Sequence, residues 1–241
     1  MVKNLQRLTK DRRLILVGNS VEILQYQYGD YIESFDTIVR FGRGAPYDYK
    51  TSLGSRTDIW VTGFLRVNAR KFFNCLTLFN RSRIHMDKPS TTTLPDDFKY
   101  IDMFSDEEIM DIHKNLGVIP NNPVGWRPSQ GFIAILFFLR KCKCESITLI
   151  GFDFFSKKLP FKTGADNPSS WHMPVNTQKV NIHSRKEKEL VIDMKNQGLI
   201  EWKILSDLED EILKFTLYNL CWYTYCYSRI FREIFYLRNK Y

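Results

Sequence analysis

Arg13-Leu14-Ile15-Leu16-Val17-Gly18-Asn19-Ser20 carries the clearest mark of the fold class in this chain. Its apolar residues do not alternate with polar ones, and they run straight into a Gly-Asn-Ser turn. A strand that needs cover on both faces belongs in a parallel sheet. In open α/β sheets such a strand delivers its glycine turn, with free backbone N–H groups, to a phosphate or nucleotide. Gly18-Asn19-Ser20 is not a GxGxxG segment, so the dinucleotide fingerprint is missing.

Working outward, Phe35-Asp36-Thr37-Ile38-Val39-Arg40-Phe41-Gly42 repeats the pattern about one βαβ spacing later, and Ile147-Thr148-Leu149-Ile150-Gly151 repeats it again. Further strands are expected at 59–62, 75–79, 99–103 and 200–204. Ser20 is a good N-cap type, which predicts a helix with Val21, Ile23 and Leu24 inward, broken at Gly29 and Asp30. A turn is expected over 51–58 and a helix over 64–75. Ser105 with Glu108 three residues on forms a capping box for another helix. Ser129-Gln130-Gly131 opens an apolar helix, 132–139, which closes in the basic run Arg140-Lys141-Cys142-Lys143. A last helix spans 183–197. Residues 1–11 read as a charged, frayed lead-in, 120–128 as a proline loop, and 156–182 as a long polar loop of the kind that serves as a lid. The pattern is that of one Rossmann-like α/β domain with a mostly parallel central sheet flanked by helices.

At 241 residues the chain can bury one large core, and 44% hydrophobic with 26% charged residues excludes wholesale disorder. The net charge of +8 points to an anionic partner: a nucleotide sugar, an anionic membrane or nucleic acid. The five cysteines, Cys75, Cys142, Cys144, Cys221 and Cys226, match no disulfide scaffold or zinc spacing, so reduced thiols are expected. Met1 to Asp11 has no apolar h-region, which predicts neither secretory signal nor N-terminal anchor and a cytosolic place of work. From 207 to 241 aromatic and apolar residues interleave with Lys214, Arg229, Arg232, Arg238 and Lys240. Charge interrupts this run too often for a transmembrane span, so a basic aromatic amphipathic helix at a membrane interface, or packed on the domain, is expected.

Four blocks, in order, carry a resemblance. The first holds Leu16-Val17-Gly18-Asn19-Ser20, residues 36–40, Ala45-Pro46 and Gly54-Ser55-Arg56-Thr57. The second is Pro128-Ser129-Gln130-Gly131 with Ile150-Gly151-Phe152, the third Trp171-His172, and the fourth His183 followed by Ile192-Asp193-Met194. With these blocks the chain resembles the animal-type sialyltransferase family and its bacterial relatives, which use CMP-activated acidic sugars.

The resemblance implies a GT-A-like variant of the Rossmann-like fold, with a glycosyltransferase domain over 1–206 and a C-terminal extension over 207–241. It implies an inverting, metal-independent transfer of sialic acid from its CMP conjugate to a glycan hydroxyl, in lipooligosaccharide or capsule assembly. A Kdo transferase using CMP-Kdo is the alternative within that chemistry. A catalytically inactive CMP-binding or assembly protein is the alternative outside it, and nucleic acid is not an expected partner. By the resemblance Gly18, Asn19, Ser20, Arg40, Ser129, Gln130, Gly131 and Gly151 hold the CMP portion, needing no further cofactor. His183 is the general base and His172 assists the departing phosphate, a narrow choice among four histidines. No DxD pair is present to hold a metal.

The family's asparagine before Ala-Pro is replaced by Gly42 or Arg43, and its small-motif threonine by Gln130. Its late glutamate is displaced, with Glu187 and Glu189 flanking Lys188. The small-motif cysteine matches Cys144, while its disulfide partner in the secreted enzymes is Leu14 here. That implies a bacterial protein working on the cytoplasmic face of the inner membrane, against an anionic surface.

Overall fold

A computed structural model describes residues 2–42, 49–63, 75–80, 99–117, 128–152, 154 and 177–203, with the backbone alone at 21 and over 177–186. The chain divides into two compact units, Met1–Trp202 and Lys203–Tyr241. The expected C-terminal amphipathic helix, the 64–75 helix but for Cys75, and most of the proposed lid lie outside the described residues.

The first unit is built on a seven-stranded sheet. Its strands are β1 (Arg13–Val17), β2 (Thr37–Phe41), β3 (Ile59–Thr62), β4 (Leu76–Phe79), β5 (Ile101–Asp102), β6 (Ser146–Ile150) and β7 (Glu201–Trp202). Their spatial order is β5-β4-β3-β2-β1-β6-β7, and every neighbouring pair is parallel. From β1 the chain winds to one edge and then returns to place β6 on the other side of β1. The switch point therefore falls between β1 and β6, where Val17 pairs with Ile150.

The helices are α1 (Val2–Thr9), α2 (Gly29–Glu33), α3 (Lys50–Leu53), α4 (Asp106–Asn115), α5 (Gln130–Lys141) and α6 (Thr177–Asn196). Helix α5 buries seven consecutive residues, Phe132 to Phe138, so it is apolar all round and central to the core. Leu14 and Leu16 of β1, Val39 and Phe41 of β2, Ile147 and Leu149 of β6 and Val191 of α6 join it in one cluster. Strand alternation sends Ile15 and Ile38, equally buried, to the opposite face. Among the described residues no helix is long and apolar enough to cross a membrane.

Several local expectations are corrected. The lead-in is a helix, because Leu5 and Leu8 of α1 pack on the core and Thr9 is buried. Behind Ser20 stands a single 3₁₀ turn, Val21–Gln25, and Gly29 and Asp30 begin α2 rather than ending a helix. Residues 50–53 of the expected turn form one helical turn. Helix α6 starts at Thr177, which removes the last residues of the expected loop.

Candidate functional site

The C-terminal ends of β1 and β6 are sewn together beyond the last strand residues. The Gly18 N–H donates to the Ile150 carbonyl at 2.8 Å, and the Ser20 N–H to the Gly151 carbonyl at 3.0 Å. A Cβ on Gly18 would lie 2.2 Å from the Gly151 oxygen, so no side chain fits there. Gly151 has φ +68°, and a Cβ on it would meet the Gly18 oxygen at 3.1 Å and Ile23 at 3.2 Å. Both glycines are thus required by each other's backbone. Asn19 extends Nδ2 to the Phe41 carbonyl at 3.3 Å, tying β1 to the end of β2. The buried Ser20 hydroxyl accepts from the Glu22 N–H at 3.3 Å as the cap of the 3₁₀ turn.

Helix α5 brings its N-terminus to the same end of the sheet. Ser129 Oγ caps it by accepting from the Phe132 N–H at 3.1 Å. The Ser129 N–H in turn donates to Glu187 Oε1 at 2.5 Å. Among the described residues the N–H groups of Gln130 and Gly131 have no hydrogen-bond partner, and neither has the buried Nε2 of the Gln130 side chain. These donors and the positive end of the α5 dipole converge beside Gly42, whose Cβ position is 3.6 Å from Gln130 Oε1. Phe152 forms the floor: a Cβ on Gly131 would lie 2.7 Å from its ring. The same ring packs edge-on to Phe41 at 5.7 Å and tilted against Phe154 at 6.1 Å.

Glu187 is fully buried, and its Oε2 has no partner. Burial pushes its carboxyl up to about 7 against the opposing pull of Ser129. Glu189 is exposed, and of the two glutamates flanking Lys188 it is Glu187 that reaches the α5 N-terminus. Position 183 lies one helical turn before it, on the same face of α6.

The structure brings together Gly18, Asn19, Ser20, Ser129, Gln130, Gly131 and Gly151. It turns Arg40 elsewhere. That guanidinium is buried and donates to the carbonyls of Arg56 at 3.0 Å and Leu53 at 2.6 Å. Desolvation lowers its pKa to about 10, with the Glu33 and Asp58 carboxylates opposing, so it stays charged while bracing the 53–56 turn. His172 lies outside the described residues, and at 183 only the backbone is described. The contact of Phe152 with Gly131 was not anticipated; the signal for it was an aromatic placed directly after a strand-ending glycine.

Comparison with known proteins fits this geometry. No family model matches the chain. It is 24% identical over 178 residues to CMP-N-acetylneuraminate-beta-galactosamide-alpha-2,3-sialyltransferase 1 of Gallus gallus, covering 67% of this chain and 46% of that protein. The enzyme of the same name from Mus musculus is 25% identical over 179 residues, covering 69% and 49%. The chain is related to the animal sialyltransferases. It spans about half the length of the curated relatives it matches. A crystal structure of a mammalian sialyltransferase superposes with a TM-score of 0.53 at 17% identity, over 84% of this chain and 77% of that one. A second, in complex with Gal-beta-1-3GalNAc-ortho-nitrophenol, gives 0.52 at 16% identity. At those identities what is shared with them is the fold, a parallel sheet flanked by helices.

Proposed function

We propose that this chain is a glycosyltransferase that moves sialic acid from CMP-sialic acid to a sugar hydroxyl. The observation that carries the reading is the convergence at the switch point of Gly18, Asn19, Ser20, Gly151 and the α5 N-terminus. Two helix N–H groups and a buried amide donor at one place suit a phosphate monoester, both as bound ligand and as leaving group. The kinship with enzymes of that activity supports the donor.

In this reading the acceptor hydroxyl oxygen bonds to the anomeric carbon as that carbon's bond to the CMP phosphate oxygen breaks. The hydroxyl proton passes to His183, and the negative charge leaves on CMP, eased by His172 and the α5 donors. One such displacement inverts the anomeric configuration. A donor that brings its own carboxylate and departs as a monoester calls for no divalent metal. The extension from 208 to 241 holds the protein on an anionic membrane, at the cytoplasmic face of a bacterial inner membrane where lipooligosaccharide or capsule precursors are glycosylated.

The test is to incubate the full chain with CMP-sialic acid or CMP-Kdo and a galactose-terminated acceptor, reading CMP release and product mass. Acceptor-dependent release from CMP-sialic acid is expected. His183→Ala should lower kcat by about 100- to 10,000-fold while CMP still binds. Transfer from CMP-Kdo alone would overturn the donor, and CMP binding without transfer from either donor would make the chain a binding protein.

A further inference from the structure

Cations gather at the amino-terminal end of the sheet, where the transfer reaction does not use them. Helix α1 lays Leu5 and Leu8 on the core and buries Thr9, while Lys3, Arg7 and Lys10 are exposed. Lys10 still follows the helical path, because its N–H donates to the Gln6 carbonyl at 2.8 Å. At 3.6 residues per turn the three cations fall within an arc of about 60°, opposite the docked face. The joint between α5 and β6 extends this row. The Asp11 N–H donates to the Lys143 carbonyl at 2.8 Å and the Glu145 N–H to the Arg12 carbonyl at 3.0 Å, so the two segments run side by side. Cys142 and Cys144 pack against the core, which turns the exposed Lys143 between them outward, and Arg140 is exposed in the last turn of α5.

Charge here is one-sided. Residues 2–12 and 140–145 hold seven basic and two acidic side chains, which is +5 of the chain's net +8, and all nine are exposed. Two acids of neighbouring elements are already engaged, Asp36 by Arg13 and Glu108 by Lys141. Among the described residues Lys3, Arg7, Lys10, Arg12, Arg140 and Lys143 form no ion pair. Like charges set this close repel one another, and an anionic partner removes that cost.

We propose that this end of the molecule docks on an anionic lipid surface through Lys3, Arg7, Lys10, Arg12, Arg140 and Lys143. A bilayer suits a row of cations projecting from a helix that is docked by its other face. Long basic side chains reach the headgroup phosphates, and Val2, 63% exposed beside Lys3, enters the interface. A single-stranded nucleic acid would call for aromatic side chains to stack its bases, and among the described residues no aromatic is one of the exposed large apolar side chains. Gly18 and the candidate site stand at the opposite end of β1, so the contact leaves the site open and is independent of the transfer chemistry.

The test is sedimentation of the full chain at low salt with vesicles of phosphatidylglycerol and phosphatidylcholine, against vesicles of phosphatidylcholine alone. Lys3→Gln, Arg7→Gln and Lys10→Gln combined should lower partitioning onto the anionic vesicles about 100-fold. Arg140→Gln with Lys143→Gln, which leaves α1 untouched, should lower it about 20-fold. Both variants should melt with the unaltered chain, because the altered side chains project away from the core. Arg229→Gln, Arg232→Gln and Arg238→Gln combined remove as much charge from 207–241, where five basic residues face five acidic ones, and should cost less. Two results would overturn the proposal. One is a loss in the α1 variant no greater than in that charge-matched variant. The other is tighter retention by duplex DNA than by the anionic vesicles at the same salt, abolished by the α1 substitutions, which would give the surface to nucleic acid.

Discussion

Glu187 is an acid held where its charge is disfavoured, and that makes it visible in solution. Its carboxyl sits at about 7 in the folded chain against 4.5 as a free side chain, burial outweighing the Ser129 N–H. Between those values the unfolded chain releases the proton and the folded chain keeps it, so stability falls as pH rises. The contribution is fully present below pH 4.5 and lost as pH passes 7, amounting to about 3 kcal/mol. Urea unfolding on either side of that window should show the loss, and Glu187→Gln should flatten it. An equal slope in the variant would mean another group carries the dependence. The sequence offers Glu187 and Glu189 alike, because only the third dimension says which of two nearby acids is buried. Arg40 is a parallel case: a motif position marks it as important, and nothing local says that its guanidinium turns to the 53–56 carbonyls.

At the scale of elements the decisive contact is the one between the ends of β1 and β6. Gly18→Ala would force a methyl group to within 2.2 Å of the Gly151 oxygen, which is backbone and cannot swing aside. That overpacking should remove about 3 kcal/mol or more of stability. Gly131→Ala meets only the edge of the Phe152 ring, at 2.7 Å, and should lose about 1 kcal/mol. Melting and urea curves of the two variants check the order; a neutral Gly18→Ala would mean the strand ends are not joined as described. The central strands were legible because unbroken apolar runs leave few alternatives. The capping box of α4 forms as its spacing predicts, with the Ser105 N–H at 2.9 Å from Glu108 and the Glu108 N–H at 3.3 Å from Ser105. Helix α1 was not legible, since a short polar segment becomes helical only by docking Leu5 and Leu8 on a core formed elsewhere.

For the whole molecule, the sheet order puts the two strand-glycine units side by side although about 130 residues of chain separate them. The order of motifs in the sequence suggested their meeting; that Gly42 and Gln130 also meet, through β2 and α5, required the fold. The surplus of +8 charges lies in residues 1–206, because the C-terminal run over 207–241 holds five basic and five acidic residues, four of the basic ones gathered over 229–240. If that run anchors the protein, the full chain should sediment with phosphatidylglycerol vesicles at low salt and leave them at high salt, while neutral vesicles fail to hold it. Equal binding to neutral vesicles, or none to either kind, would remove the anchor from the account. The central claim is that CMP sits across the switch point. A crystal structure with CMP bound should place the phosphate within hydrogen-bond distance of the Gln130 and Gly131 N–H groups, with Gln130 Nε2 donating to the ligand and the nucleoside along Gly18, Asn19 and Ser20. A phosphate out of reach of the α5 N-terminus, with CMP bound elsewhere on the chain, would contradict it.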